Sequence, residues 1–262
     1  MTRNLKIILE YDGTDFCGWQ RQPGVRTVQG ELERVLEQLL QHPVSLTAAG
    51  RTDVGVHAQG QVVNFFTERR IQATRLLRGL NALLPPDVRA LEVEEVPAGF
   101  HARFSALARV YRYRIATRPY AIGRQYVWYY PRPLDLELMR RALQPLLGEH
   151  DFRSFCRAEA ALPHYRCCVE EATWSECQGE LCFDIRANRF LHGMVRTIVG
   201  TLVEVGRGKI PAESVGQMLE ARNRRVAGPT APAQGLCLMR VVYPTDLEAE
   251  VSGERLNGTE ES

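Results

Sequence analysis

The chain has no apolar run approaching the roughly 20 residues that a membrane-spanning helix requires. Its opening, MTRNLKIILEYDG, has no hydrophobic stretch of signal-peptide type and reads directly as a strand. A cytoplasmic protein with no membrane association is expected. Paired cysteines are missing as well. The seven cysteines include no C-x-x-C pair and no Cys/His set at zinc-finger spacing, and their number is odd. That excludes a disulfide framework and a structural zinc module, and free thiols are expected. Lysine is nearly absent: Lys6 and Lys209 are the only two, so arginine supplies almost all of the 33 basic residues. Arginine forks match phosphate and stack on bases. A GC-rich coding bias would enrich arginine equally well.

What is present is ordinary globular composition over 262 residues, 45% hydrophobic and 24% charged. This suffices for one large domain or two smaller ones. The net charge of +2 conceals an asymmetry, because residues 246–262 carry six acids against Arg255 alone. Without that −5 tail the body stands at +7, which suits a polyanionic partner. The tail has few large apolar residues and is expected to be disordered.

Alternation over 5–11 predicts a half-buried strand, followed by a glycine-rich turn. Thr27 is a plausible N-cap for a helix that places Leu32, Val35, Leu36, Leu39 and Leu40 on one face. A strand over 60–67, a helix over 73–83 stopping before Pro85-Pro86 and a strand over 89–96 follow. The second part repeats the rhythm: strands at 109–116, 168–177 and 180–187, helices at 135–147, 190–204 and 211–222, and a last strand at 236–242. In 109–116, Tyr111, Tyr113 and Ile115 share one face, with Val110, Arg112 and Arg114 on the other. Adjacent strands joined without helices favour α+β over a doubly wound sheet. Two similar α+β halves with mostly antiparallel sheets are expected, 1–107 and 108–245, followed by the tail.

The chemistry concentrates in Ala49-Gly50-Arg51-Thr52-Asp53-Val54-Gly55-Val56-His57-Ala58, between a helix and a strand. Glycines let such a loop approach a ligand closely and aim an aspartate into a cleft. Taken alone, the loop fits equally an Asp making its own turn hydrogen bonds.

Gly50-Arg51-Thr52-Asp53-x-Gly55-Val56-His57-Ala58 resembles the signature of the tRNA pseudouridine synthase A family, whose catalytic aspartate falls at Asp53. Further segments resemble that family in the same order. They are Glu10-Tyr11-Asp12-Gly13-Thr14 with Phe16-x-Gly18-Trp19-Gln20, Leu80-Asn81-x-Leu83-Leu84-Pro85, and Phe100-His101-Ala102-Arg103-Phe104-Ser105-Ala106. Tyr111-Arg112-Tyr113, Gly148-x-His150-Asp151-Phe152-x-Ser154-Phe155 and Phe190-Leu191-x-x-Met194-Val195-Arg196 complete the set, which spans roughly 5–243. The resemblance implies a pseudouridine synthase fold with the active-site cleft between its halves. It also implies catalytic roles for Asp53, Tyr111 and Arg196, a tRNA substrate modified at positions 38, 39 and 40 of the anticodon arm, a homodimer, and no cofactor or metal. Asp53 would be nucleophile or base, oriented by Arg196, with Tyr111 as a ring for the detached uracil. Candidate RNA contacts are Arg51, Arg21, Trp19, Gln20, His57 and Arg112, with Arg26, Arg69, Arg70, Arg78 and Arg114 as further phosphate candidates. Three rival readings remain: a non-catalytic RNA binder, a hydrolase using Asp53 and His57, and a pseudouridine synthase for another RNA.

Overall fold

A computed structural model describes residues 2–157, 162–177 and 179–244; the acidic segment at 246–262 lies outside them. Among the described residues the strands form one sheet of ten: β1 (Arg3–Tyr11), β2 (Thr47–Ala48), β3 (His57–Thr67), β4 (Val88–Val96), β5 (Ala108–Ala116), β6 (Trp128–Tyr129), β7 (Gly148–Asp151), β8 (Arg166–Cys177), β9 (Glu180–Ala187) and β10 (Leu236–Val242). Five α-helices accompany them: α1 (Val28–Leu40), α2 (Ala73–Leu83), α3 (Leu136–Arg141), α4 (Met194–Gly206) and α5 (Ser214–Ala221).

The strand order is β4-β1-β3-β10-β5-β9-β8-β7, with β2 beside β3 and β6 beside β5. All pairings are antiparallel except β10 with β3 and β6 with β5. The fold is α+β with a mostly antiparallel sheet, as expected. The last strand, β10, lies between β3 and β5, so it joins strands from early and late parts of the chain.

Local chemistry explains the elements that shape the site. The Thr27 side chain accepts a hydrogen bond from the Gly30 amide at 3.3 Å and opens α1, which buries Val28, Leu32, Val35, Leu36 and Leu40. Each of those leucines contributes about 1.5–3 kcal/mol through burial. The chain leaves α1 at Gln41 in a left-handed conformation. α2 ends at Leu83, where the following prolines force extended backbone.

Two helices differ from expectation. The segment 135–147 is helical only over Leu136–Arg141, followed by a 3-10 turn at Gln144–Leu146. Pro145 has no amide hydrogen, and its ring clashes with a preceding carbonyl in a continuous helix. The helix expected from 190 begins at Met194, because Gly193 at φ 69° turns the chain left-handed just ahead of it. β2, β6 and β7, of two to four residues, were too short to show an alternating pattern.

Six described cysteines (Cys17, Cys156, Cys167, Cys168, Cys182 and Cys237) carry free thiols. No helix among the described residues is long and apolar enough to cross a membrane.

Candidate active site

The loop ahead of β3 is fastened along its length. Gln61 donates to the Gly50 carbonyl at 2.9 Å, and the Tyr11 and Thr52 hydroxyls meet at 2.8 Å. The Trp19 amide donates to the Thr52 carbonyl at 3.1 Å, and the Val56 amide closes a turn on the Asp53 carbonyl at 3.2 Å. Gly13 lies directly against the Val56 carbonyl, leaving no room there for a side chain. This fastening fixes the backbone that carries Asp53, so its carboxylate is aimed by the fold.

Three groups meet at that carboxylate. Arg196 donates to Asp53 Oδ2 at 3.0 Å, while its Nε donates to the Ala231 carbonyl at 2.8 Å. His192 Nε2 stands 3.3 Å from the other oxygen, Oδ1. The guanidinium is thus held on two sides, and opposite charge orients the carboxylate. Asp53 and Arg196 are only 18% and 21% exposed, whereas His192 is 37% exposed, so the imidazole forms the open edge of the site. Tyr111 is buried on β5 with its ring edge-on to Phe190, centroids 5.1 Å apart. Burial, then the nearby Tyr11 and Asp53, push the Tyr111 phenol far above its ordinary value. It is therefore a hydroxyl donor over the whole physiological range.

Phe190, His192 and Arg196 come from one short stretch. The left-handed Gly193 between them lets His192 reach Asp53 before the helix begins, while Arg196 reaches it from the first turn. The segment after Gly228 lies along α4, with the Ala231 amide donating to the Arg196 carbonyl at 3.0 Å. This is why the Ala231 carbonyl is at hand for the guanidinium.

Arg109 is treated differently. Its side chain is buried and donates to four carbonyl oxygens: Ala49 at 2.7 Å, Arg103 at 2.7 Å, Asn188 at 2.8 Å and Ala106 at 3.3 Å. Burial lowers its affinity for the proton, but a guanidinium stays charged regardless. It clasps the start of the Asp53 loop to the end of β9, just ahead of Phe190.

Of the residues expected to act, Asp53 and Arg196 are in direct contact, and Tyr111 is near enough to feel the Asp53 charge. The expected RNA contacts are dispersed. Arg51 is exposed beside Asp53, Gln20 is half-buried, and Arg21 reaches solvent while pairing with Glu33 at 3.1 Å. Arg112 forks onto Asp184 at 2.8 and 3.0 Å, on the face of β5 opposite Tyr111. Trp19 and His57 require a correction, because both side chains are buried and committed to contacts inside the fold, Trp19 against β1 and His57 between Gly13 and Gln125. Trp19 packs beside Tyr11, centroids 6.1 Å apart. His57 Nδ1 accepts the Gly13 amide at 3.0 Å, so the ring hydrogen sits on Nε2, which faces the Gln125 carbonyl at 3.1 Å. Burial holds this imidazole below its ordinary value, against the opposing pull of the Asp12 carboxylate 3.1 Å from Nδ1. Arg26 is engaged with Asp87 and Arg114 with Glu180.

Sequence reasoning missed His192 and Arg109, and it placed Phe190 in a family-like segment without its contact to Tyr111. The available signal for His192 was its spacing of four from Arg196. Arg109 carried none, since it reads as one more basic residue in an alternating strand.

A family model described as tRNA pseudouridine synthase matches residues 7–105 and 142–244. The chain belongs to the tRNA pseudouridine synthase family and is an isomerase. The tRNA pseudouridine synthase A of Moorella thermoacetica is 47% identical over 243 residues, covering 91% of this chain and 99% of that protein. Its counterpart in Halalkalibacterium halodurans is 49% identical over 238 residues, covering 89% and 90%. That of Aeromonas hydrophila is 47% identical over 249 residues, covering 91% and 90%. A solved structure titled as a Cbf5-Nop10-Gar1 complex aligns at a TM-score of 0.37 and 10% identity, covering 97% of this chain and 57% of that one, too loosely to carry an argument.

Proposed function

We propose that this enzyme converts uridine to pseudouridine at positions 38, 39 and 40 in the anticodon stem-loop of tRNA, with Asp53 as the essential carboxylate. The observation that carries this reading is the Asp53–Arg196 contact at 3.0 Å beside the buried Tyr111 ring. In the reaction the N1–C1′ bond breaks, the uracil turns, and a C5–C1′ bond forms. The C5 hydrogen leaves as a proton and N1 gains one, so atoms and electrons balance without a cofactor.

The residues divide that work by position. Asp53 is a nucleophile or base toward the sugar or ring, with Arg196 fixing its direction. Tyr111 supplies a flat surface for the detached uracil and a hydroxyl that keeps its proton and can donate a hydrogen bond. His192, at the open edge, is placed to steady the second Asp53 oxygen. The target base must first leave its stack, at a cost of a few kcal/mol offset by backbone contacts. Arg51, exposed in the Asp53 loop, is the expected phosphate contact nearest the reacting carboxylate. The enzyme is proposed to act in the cytoplasm as a homodimer.

The direct test is tritium release from a tRNA transcript labelled at uridine C5, followed by mapping of the modified positions. Release into water confined to the anticodon arm is expected. Release elsewhere overturns the positions, and tight binding without release overturns the chemistry.

A further inference from the structure

From Val96 to Leu134 the chain contains no acidic residue, yet it holds seven arginines. Three of them are satisfied inside the fold: Arg109 by carbonyls, Arg112 by Asp184 and Arg114 by Glu180. Arg118, Arg124 and Arg132 are exposed, and among the described residues no carboxylate lies within ion-pair distance of them. They alternate with Tyr120, Tyr126, Trp128, Tyr129 and Tyr130 in a connection that leaves β5 and returns to its edge as β6. This connection lies in the stretch between the two matched parts of the family model, 7–105 and 142–244.

The segment is tied down beside the catalytic loop. The Tyr126 hydroxyl donates to Asp12 at 2.8 Å, and the Gln125 carbonyl faces His57 at 3.1 Å. Gln234 holds the Val127 carbonyl at 3.1 Å. Between the segment and the loop runs an open groove of about 610 Å³, lined by Thr14, Gly55, Tyr120, Arg124, Tyr129 and Gln234 among others. Gly55 is two residues from Asp53, so the groove runs past the catalytic loop. The Arg118 guanidinium lies over the Tyr120 ring, 4.9 Å from its centroid, and Tyr129 is exposed. Ile122, at the tip, is 95% exposed.

Exposed arginines bind phosphates, and open tyrosine faces stack bases without reading their sequence. A basic partner would call for carboxylates and an apolar one for a continuous apolar face, and this surface has neither. Its exposed arginines and open tyrosine face suit a polyanion that also carries rings, which is an RNA strand. We propose that residues 117–132 are an RNA-binding strap, gripping the tRNA strand next to the uridine on which Asp53 acts. The inference rests on the tRNA reading of the site. The strap sets how the flanking strand is held once the target base is turned out, beyond the single phosphate contact expected of Arg51.

The test uses the full chain, an unmodified tRNA transcript and fluorescence anisotropy across a range of NaCl concentrations. The Arg118→Gln/Arg124→Gln pair is expected to weaken tRNA binding about tenfold or more and flatten the salt slope by about one to two. Tyr129→Ala is expected to weaken binding about tenfold, with the slope unchanged. Arg140→Gln/Arg141→Gln, matched in charge on α3, is the control and should move neither quantity. Variants that bind like wild type while wild type turns over tRNA overturn the strap and leave the enzyme assignment standing. Variants that separate the protein into monomers show a face between two copies, which also overturns it. A wild type that neither binds nor turns over tRNA overturns both readings.

Discussion

Arg196 and Arg109 hold the same loop at two points, and the fold surrounds them with opposite chemistry. Arg196 meets a carboxylate at 3.0 Å and keeps 21% of its side chain exposed. Arg109 is buried and meets only carbonyl oxygens. A charge facing a carboxylate in a cleft orients a reacting group. A charge satisfied by neutral carbonyls has no counter-ion to direct, and it ties backbones together. On the proposed function the contrast predicts that activity rests on one arginine and stability on the other, although a sequence presents both simply as arginines.

The largest expected effect is on Asp53 itself, the target that gives the contrast its meaning. Asp53→Asn should lower turnover by about 10³-fold or more while tRNA affinity stays within a few-fold. Substantial turnover would remove the carboxylate from its role and Arg196 with it. Arg196→Lys should cost about 10²-fold in kcat with little change in urea midpoint, because a lysine cannot hold Ala231 and Asp53 at once. Arg109→Met should do the reverse, lowering stability by about 3 kcal/mol or more while the folded enzyme keeps kcat within a few-fold. If urea denaturation shows no loss and turnover collapses, the comparison breaks.

His192→Ala should lower kcat about tenfold, with His192→Gln recovering part of that loss by restoring an N–H toward Asp53 Oδ1. Equal losses in both would place its role elsewhere. The smallest effect concerns His57, whose imidazole is held by burial below its ordinary value. Its contribution to stability is present above the unfolded value near 6.5 and is lost as pH falls. The wild-type urea midpoint should therefore drop more steeply between pH 7 and pH 5 than that of His57→Gln. Parallel curves would mean that His57 does not titrate with unfolding.

Much of this architecture was legible in sequence because it rests on local rules. Thr27 caps its helix, the prolines after Leu84 end α2, and the alternation in 109–116 gives the two faces of β5. Where the reading missed, a single residue acted against the periodic pattern. Pro145 cut one helix short, and Gly193 delayed another by adopting a conformation that hydropathy does not record. In the site, Asp53 and Arg196 were expected through a family likeness, and the structure brings the two into contact at 3.0 Å. Trp19 entered the RNA contacts through a segment that resembles the family, and the structure packs it against β1 and the Asp53 loop. Arg109 and His192 were invisible for a related reason: their partners are distant in sequence, and pairing across such distances leaves no period.

The place of β10 has a consequence for synthesis. On the ribosome, β1, β3 and β4 with their two helices have all their mutual partners once residue 96 has emerged. Asp53 is therefore made early. Yet Arg196 and the strand that seats β5 beside β3 come far later, and β10 is the final element of the sheet. A half-made chain carries Asp53 well before Arg196, its ion-pair partner 143 residues further on, has been added.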